Sequence, residues 1–171
     1  MFSQIPVQLA AVSQLLWAGQ GRTSGWGGRT APSAGATYPV ELYLVAGWVN
    51  GLQAGVYRYL PDVHSVEVVR LGDVREELAR ASFRQVAIQE APVVLVISCD
   101  YRRTTGRYGA RGARYVHMEA GHIGQNVHLQ CEALGLGAVM IGAFTDEGVK
   151  EALGITHEPL YIVPVGFPQG E

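Results

Sequence analysis

The stretch from Arg107 to Phe144 constrains the fold more than any other part of the chain. It reads RYGARGARYVHMEAGHIGQNVHLQCEALGLGAVMIGAF, and residues 120–131 contain no Asp, Glu, Lys or Arg. Ile123, Val127 and Cys131 follow one another at steps of four, which is the repeat of one helix face. The low charge and this period together predict a long, mostly buried central helix.

The predicted central helix also carries polar side chains, and a buried polar group needs a hydrogen-bond partner. We expect some of these side chains to find that partner in the core or at a ligand. They are His117, Glu119, His122, Gln125, Asn126 and His128.

The two ends of the stretch differ in character. Arg107, Arg111 and Arg114 precede the apolar part and are spaced for one flank of the helix. The glycines of residues 135–137 predict the end of the helix, because glycine lets the backbone turn. The apolar run 138–142 then predicts a short strand, whose final glycine would let a flat ligand lie against bare backbone.

Composition limits the class of protein. The length of 171 residues predicts one domain over residues 1–171. Hydrophobic residues make up 48% of the chain and charged residues 16%, a balance that suits burial of some surface against a partner subunit. The formal charge of −2 gives no electrostatic footprint for nucleic acid. The locally basic run 102–114 is either a solvated helix start or a segment that binds an anion.

Two cysteines, Cys99 and Cys131, are too few for a disulfide framework and favour a reduced setting. The N-terminal residues lack the basic segment of a signal peptide. No apolar run reaches the roughly 18 residues that a membrane span needs. We therefore expect a cytoplasmic protein that does not associate with membranes.

Strands and helices alternate along the chain, with local hairpins among them, which predicts an α+β fold of helices packed on a mixed sheet. The apolar strand 91–99 should be covered on both faces. Pro164 places the last strand at an edge or a bend. Helices are expected at 7–19, 73–83 and 145–154, and strands at 41–49, 55–60, 65–70, 91–99 and 160–165.

Residues 21–38 are rich in glycine and small polar residues and should form a loop. Structureless loops longer than about 12–15 residues are usually functional or disordered. Residues 21–28 suit a mobile surface loop. Residues 29–35 place small side chains around Arg29, which suits a phosphate or a flat ring.

Several common catalytic and nucleotide-binding motifs are absent from the sequence. The chain has no phosphate-binding G-x-x-x-x-G-K-[ST], no G-x-G-x-x-G after a strand and no C-x-x-C pair. His117 and His122 are separated by a step that does not place them on one helix face, so the pattern does not favour a metal site. Cys131 lies on the apolar stripe of the central helix, where a thiol is usually inert.

Three segments together resemble the nitroreductase superfamily, and most closely its SagB-type branch of FMN-dependent dehydrogenases. They are RTAPSAGATYPVELYLV at 29–45, GVYRY at 55–59, and the stretch 107–144. The branch pattern R-T-x-P-S-A-G-x-x-Y-P, G-x-Y-x-Y, E-A-G-H-x-x-Q-N and L-G-L-G-A-x-x-I-G-x-F is nearly intact here. The resemblance runs from about Ile5 to Pro168, and the order of the motifs is more specific than any one of them.

This resemblance implies a nitroreductase-like domain with a mixed, mainly antiparallel sheet flanked by helices. It also implies a homodimer, with the long central helix at the interface and two FMN molecules bound there. One subunit would present the backbone around Gly142 to the ring edge, and the other would contribute the loop 32–35. Such a flat ring needs small residues on its face and backbone donors at its polar edge.

The cofactor-binding residues that the resemblance implies fall into two groups. Arg29 is expected at the flavin phosphate or the pyrimidine edge. For Gln125 and its neighbour Asn126, a structural hydrogen bond in the core is the alternative to a place at the flavin. The full set is Arg29, Pro32, Ser33, Ala34, Gly35, Gln125, Met140, Ile141, Gly142 and Ala143.

The chain departs from the family pattern in two respects. Many relatives grip FMN with an arginine-rich stretch ahead of the first helix and a basic residue after the last strand, and residues 1–171 contain neither. FMN binding is therefore expected to depend on Arg29 and on the arginines of 102–114. Branch members that oxidise azoline rings carry Lys-Tyr where this chain has Arg107-Tyr108, and arginine is a poor proton acceptor. Tyr108 is then the expected catalytic proton donor or acceptor.

These observations predict an FMN-dependent oxidoreductase that transfers hydride from NAD(P)H through the flavin to a small-molecule or peptide acceptor. Two alternatives stay open. One is an azoline (thiazoline or oxazoline) dehydrogenase of a peptide-modifying system. The other is a flavin-poor, non-catalytic interaction protein on the same fold.

Overall fold

A computed structural model of the protein describes residues 1–169. The helices are α1 (Leu9–Gln20), α2 (Arg75–Ala81), α3 (Val86–Glu90), α4 (Arg102–Tyr108), α5 (Arg111–Ala133) and α6 (Asp146–Leu153). The strands are β1 (Val7–Gln8), β2 (Val40–Ala46), β3 (Val49–Asn50), β4 (Gly55–Leu60), β5 (Ser65–Leu71), β6 (Val93–Cys99), β7 (Gly137–Ala138) and β8 (Glu158–Gly166).

Within the described residues, one sheet has the strand order β5-β4-β2-β6-β8-β7, and every neighbouring pair in it is antiparallel. β1 and β3 form a separate parallel pair. The short turn between β4 and β5 makes those strands antiparallel neighbours, as a tight hairpin requires. The predicted α+β class and the mainly antiparallel sheet are confirmed.

The central strands β2 and β6 are buried along their whole length. Successive side chains of a strand point to opposite faces. Leu42 and Leu44 therefore join a core with α1 and α5, whereas Tyr43 and Val45 join a core with α2, α3 and α6. β6 alternates in the same way, which confirms that the strand predicted at 91–99 is covered on both faces.

Helix α5 is the predicted central helix, and its buried side chains include Val116, Ile123, Val127 and Cys131. The prediction that it is mostly buried is wrong, because only eight of its 23 residues are buried, on the one face that meets the core. It ends before Gly135, whose φ of 67° lies in the left-handed region. The predicted position of Arg107 on this helix is wrong. Gly109 has a φ of 56° and separates α4 from α5, so Arg107 does not share a helix flank with Arg111 and Arg114.

The strand predicted at 41–49 is two elements. β2 ends at Ala46, because the amides of Gly47 and Trp48 both donate to the carbonyl of Pro92, at 3.0 and 2.9 Å. This contact turns the chain away from the sheet, and Val49–Asn50 then pairs with β1 as β3. Helix α3 had no counterpart among the predicted elements.

The strand predicted at 138–142 is also shorter than expected, and Pro164 explains why. The amide of Val139 donates to the carbonyl of Pro164 at 3.2 Å, but proline has no N–H to donate in return. The β7–β8 ladder therefore pairs only Gly137 and Ala138, and contact resumes where Ile141 exchanges two 2.9 Å hydrogen bonds with Ile162. The prediction that Pro164 places the last strand at a sheet edge is wrong, because β8 lies between β6 and β7. Proline is tolerated there because its missing N–H faces the point where the β7–β8 ladder is interrupted.

Among residues 1–169, no helix combines the length and the apolar character needed to cross a lipid bilayer.

Candidate functional site

The loop between α1 and β2 follows a path fixed by its own hydrogen bonds. The amide of Thr30 donates to the carbonyl of Gly21 at 2.9 Å, and the amide of Tyr38 donates to Ser33 Oγ at 2.9 Å. Gly35, Ala36 and Tyr38 have φ values of 59°, 53° and 42°. Residues other than glycine rarely adopt this conformation, and such strained backbone clusters at functional sites.

The predicted catalytic residue Tyr108 lies against this loop. Arg107 Nη1 donates to the carbonyl of Gly35 at 3.1 Å. A Cβ atom on Gly35 would collide with Tyr108 Oη and come within 2.7 Å of Arg107 Nη1. The Tyr108 ring packs edge-on against Tyr115, with 5.2 Å between the ring centroids. Glycine at position 35 therefore allows α4 to bring a phenol to the loop.

A buried polar cluster lies behind the loop, where the loop meets α1 and α5. Arg29 Nη1 donates to Gln20 Oε1 at 2.6 Å, and the Arg29 guanidinium lies 4.4 Å from the centroid of the Tyr38 ring. Glu119 and Gln20 are only 2% and 1% exposed. Glu119 Oε1 and Gln20 Nε2 have no hydrogen-bond partner within residues 1–169.

Burial raises the pKa of Glu119 to about 7, although the nearby Ser33, Gln20 and Arg29 act in the opposite direction. Neither Glu119 nor Gln20 was among the predicted site residues. The spacing contained a signal for Glu119, which follows Val116 by three positions and so lies on the buried face of the helix. Gln20 gave no such signal, because a glutamine that ends a helix normally faces water.

The second predicted group, residues 140–143, lies between α5 and β8. The Met140 side chain packs on Gly124, where an added Cβ would collide with it. Ile141 is buried, whereas Gly142 and Ala143 are exposed. The amides of Gly142 and Ala143 donate no hydrogen bond within the described residues. The carbonyl of Ala143 accepts from Gln85 Nε2 at 3.1 Å.

Nothing inside the chain requires glycine at position 142. A Cβ atom there would come no closer than 3.9 Å to a neighbour, Tyr161 Cε1, which is an ordinary van der Waals contact. Any need for a bare backbone at Gly142 must therefore come from a bound group or from another subunit.

The structure brings Tyr108 together with the loop residues but leaves the two predicted groups apart. No hydrogen bond within residues 1–169 joins the loop 29–35 to residues 140–143. Asn126 Nδ2 donates to the carbonyl of Thr30 at 3.4 Å, which is a structural contact, while Gln125 is exposed on α5. Pro32 is also exposed, and Ser33 and Ala34 are half-buried.

Several known proteins are similar to this chain in sequence. A protein of Methanocaldococcus jannaschii that is named as a nitroreductase is 48% identical over 161 residues, which cover 94% of this chain and 81% of that protein. The trifolitoxin-processing protein TfxB of Rhizobium leguminosarum bv. trifolii is 32% identical over 63% of this chain. The microcin B17-processing protein McbC of Escherichia coli is 28% identical over 81% of it. The matches span only 30% of TfxB and 53% of McbC.

Solved structures share the fold. A nitroreductase structure from Anabaena variabilis aligns with a TM-score of 0.86 and 28% identity, over 98% of this chain and 35% of that one. The E. coli microcin synthetase McbBCD complex with truncated pro-MccB17 aligns with a TM-score of 0.87 and 25% identity, over 99% of this chain and 67% of that one.

The fold and these relatives define an oxidoreductase class. Residues 1–167 match the model of the nitroreductase family. The chain belongs to the nitroreductase family, and its homologues include the peptide-processing proteins TfxB and McbC.

Proposed function

We propose that the chain is an FMN-dependent oxidoreductase that transfers hydride from NAD(P)H to a separate acceptor. The observation that carries this proposal is the exposed backbone at Gly142 and Ala143, whose amides have no partner within the described residues. A flavin ring edge takes hydrogen bonds from backbone donors of this kind. The open space above Gly142 is what a flat ring needs. When bound, FMN would supply the two-electron chemistry.

The chain's own residues would orient the reactants and handle protons. The loop 32–35, held by its hydrogen bonds, would cover one face of the ring. Tyr108 Oη lies at Gly35 and can donate a proton to an acceptor bound over the loop, or take one from it. Arg107 would hold that loop through the carbonyl of Gly35 and cannot act as a base near neutral pH.

The assembly forms part of the same proposal. Residues 1–171 would be a single nitroreductase-like domain that acts as a cytoplasmic homodimer, with α5 at the interface. The face of α5 that the chain leaves uncovered carries Met118 and Leu129, which are 52% and 59% exposed, with Gly121 between them. In the dimer, the loop 32–35 of one subunit would reach residues 140–143 of the other.

A second candidate is azoline oxidation in a peptide-modifying system, and the similarity to TfxB and McbC favours it. Arg107 argues against it, because arginine is a poor proton acceptor and this side chain already donates to the carbonyl of Gly35. The two candidates differ in the electron donor. The first oxidises NAD(P)H, whereas the second removes two hydrogen atoms from an azoline ring to give an azole and delivers both electrons to FMN.

The test starts with a titration of the purified chain with FMN, followed by the flavin absorbance and fluorescence. A change in the flavin spectrum shows that FMN binds. If the chain then oxidises NAD(P)H in the presence of a nitroaromatic acceptor, the result supports the oxidoreductase. Loss of two hydrogens from an azoline peptide, read by mass spectrometry without NAD(P)H, supports the second candidate. If the flavin spectrum does not change even at high FMN concentration, both flavin-dependent candidates are excluded and the flavin-poor interaction protein is supported.

Gly142→Val tests the position of the flavin. An added Cβ at position 142 makes only an ordinary contact in the apo chain, so the melting temperature should stay close to that of the wild type, while the FMN affinity should fall at least tenfold. Gly25→Val is the matched control, because Gly25 is also exposed and an added Cβ meets nothing within 4 Å. Equal FMN affinity in the two variants would place the flavin elsewhere. Arg29→Ala is a less specific test of FMN binding. Arg29 lies in a loop, but its loss also removes the hydrogen-bond partner of buried Gln20 and can therefore destabilise the fold.

A further inference from the structure

A cavity with a volume of about 220 Å³ lies between the α1–β2 loop and the sheet. Arg29, Arg58 and Arg103 line it from three different parts of the chain. Glu41 lines it as well and is only 7% exposed. Three guanidinium groups therefore surround one small space that contains a single buried carboxylate.

Glu41 explains how two of the arginines reach the cavity. Arg58 Nε donates to Glu41 Oε2 at 3.0 Å, and Arg103 Nη2 lies 2.6 Å from Glu41 Oε1. Arg103 Nη1 also donates to the carbonyl of Tyr38 at 3.0 Å, which ties the loop to the same point. Both carboxylate oxygens of Glu41 are thus used in holding the two guanidinium groups in place.

The charges around the cavity do not balance. One carboxylate neutralises one of the three guanidinium charges. Asp62, at the rim, has a side chain that is 72% exposed and lies 3.9 Å from Arg22 Nη1, so it has a cation of its own. The lining therefore keeps a net positive charge that favours an anion.

The hydrogen-bond donors do not balance either. Among residues 1–169, Arg58 makes one hydrogen bond, through Nε, and Arg29 makes one, through Nη1. Within residues 1–169, Arg58 Nη1 and Nη2 and Arg29 Nε and Nη2 have no protein acceptor. The side chains of Arg58 and Arg103 are 36% and 38% exposed, so a solute can reach them. Guanidinium donors pair best with the oxygens of a phosphate or a carboxylate.

We infer that this cavity binds a compact oxyanion, a phosphate or carboxylate group, held by the unpaired donors of Arg58 and Arg29, with Arg103 adding positive charge beside them. The volume lies below the range of about 300–1,000 Å³ that whole organic ligands occupy, so the cavity suits an ion or the charged end of a larger molecule. This inference does not rest on the proposed function.

Calorimetric titration of the purified chain with inorganic phosphate, at an ionic strength held constant with KCl, tests the inference. One phosphate should bind per chain with saturation. Arg58→Gln should weaken binding about tenfold or more, and Arg103 remains to neutralise buried Glu41 in that variant. Asp62→Asn removes a rim carboxylate and should strengthen binding several-fold. Arg80→Gln, at an exposed arginine of α2 outside the cavity, should change nothing.

Two results would overturn the inference: no saturable heat above the KCl control, or the same affinity in Arg58→Gln and Arg80→Gln. Circular dichroism of each variant separates loss of binding from loss of folding. If Arg58→Gln does not fold, a wild-type affinity for phosphate in Asp62→Asn overturns the inference by itself.

The same titration in the presence of flavin identifies the source of the anion. If the phosphate of FMN occupies the cavity, saturating FMN abolishes binding of inorganic phosphate and riboflavin does not. If a separate anionic substrate occupies it, phosphate binds equally with and without FMN. A chain that binds phosphate but no FMN refutes the proposed function and leaves this inference intact.

Discussion

Glu119→Gln tests whether a neutral carboxyl group is built into the core beside the α1–β2 loop. The substitution keeps the shape of a side chain that is 2% exposed and removes its ability to ionise. Burial raises the pKa of Glu119 from 4.5 to about 7, so the folded protein holds this proton more tightly than the unfolded chain does. A difference of this size corresponds to about 3 kcal/mol, at about 1.4 kcal/mol per pKa unit.

The direction in which stability changes with pH follows from proton linkage. A group whose pKa is raised by folding contributes its full stability below pH 4.5 and loses it progressively as the pH rises towards 7. The wild-type chain should therefore lose about 3 kcal/mol relative to Glu119→Gln between pH 4.5 and pH 8. The constant cost of placing an amide near Gln20 and Arg29 cancels, because only the change with pH is compared.

Urea unfolding followed by tryptophan fluorescence at pH 5, 6, 7 and 8 measures this change, with the flavin content equal in all samples. Glu132→Gln is the matched control, since Glu132 is an exposed residue of the same helix. The stability of the control should follow the wild type at every pH. If Glu119→Gln also runs parallel to the wild type, Glu119 ionises as it would in water, and the argument from burial is refuted.

Two further predictions concern glycine packing and assembly. Gly35→Ala should destabilise the chain by more than about 1 kcal/mol, because the φ of 59° is strained for alanine and the new Cβ meets Tyr108 Oη. Gly106→Ala, at an open position of α4, should instead stabilise it by about 0.5–1 kcal/mol, and equal effects in urea unfolding would refute the steric reasoning. Light scattering should give twice the chain mass of 18.4 kDa, and Leu129→Glu should reduce it to 18.4 kDa without unfolding. Val63→Glu, at another exposed apolar residue, should leave the mass unchanged, and a wild-type mass of 18.4 kDa at micromolar concentration would refute the dimer.

Elements could be predicted where the hydrophobic pattern of the segment itself indicates burial. The four-residue step of Ile123, Val127 and Cys131 and the apolar run of β6 each imply cover from the rest of the chain, and these residues are buried as expected. The absence of charge from residues 120–131 did not mean that the whole helix is buried, since only one face of α5 is. The position of Arg107 could not be predicted in this way. Helical spacing continues through Gly109, and only the backbone conformation of that glycine separates the two helices.

Features that depend on distant residues could not be predicted from local sequence. The end of the strand at Val139 depends on the missing amide of Pro164, and that pairing is not visible in either segment alone. Arg29 had the appearance of a free loop residue, because its partner Gln20 lies at the end of a helix. The nearness of Tyr108 to Gly35 likewise arises only once α4 packs against the loop.

The backbone that follows the interruption at Pro164 affects which substitutions residues 142 and 143 can accept. Pro164 interrupts the β7–β8 ladder opposite Val139, and contact resumes at Ile141. The amides of Gly142 and Ala143, which follow that contact, have no partners in the described chain. A contact made by backbone amides does not depend on which small side chain the residue carries. Positions 142 and 143 can then change among small residues at little cost to such a contact. Restoring an N–H at position 164 would allow a second hydrogen bond with Val139 and would leave the amides of Gly142 and Ala143 as they are.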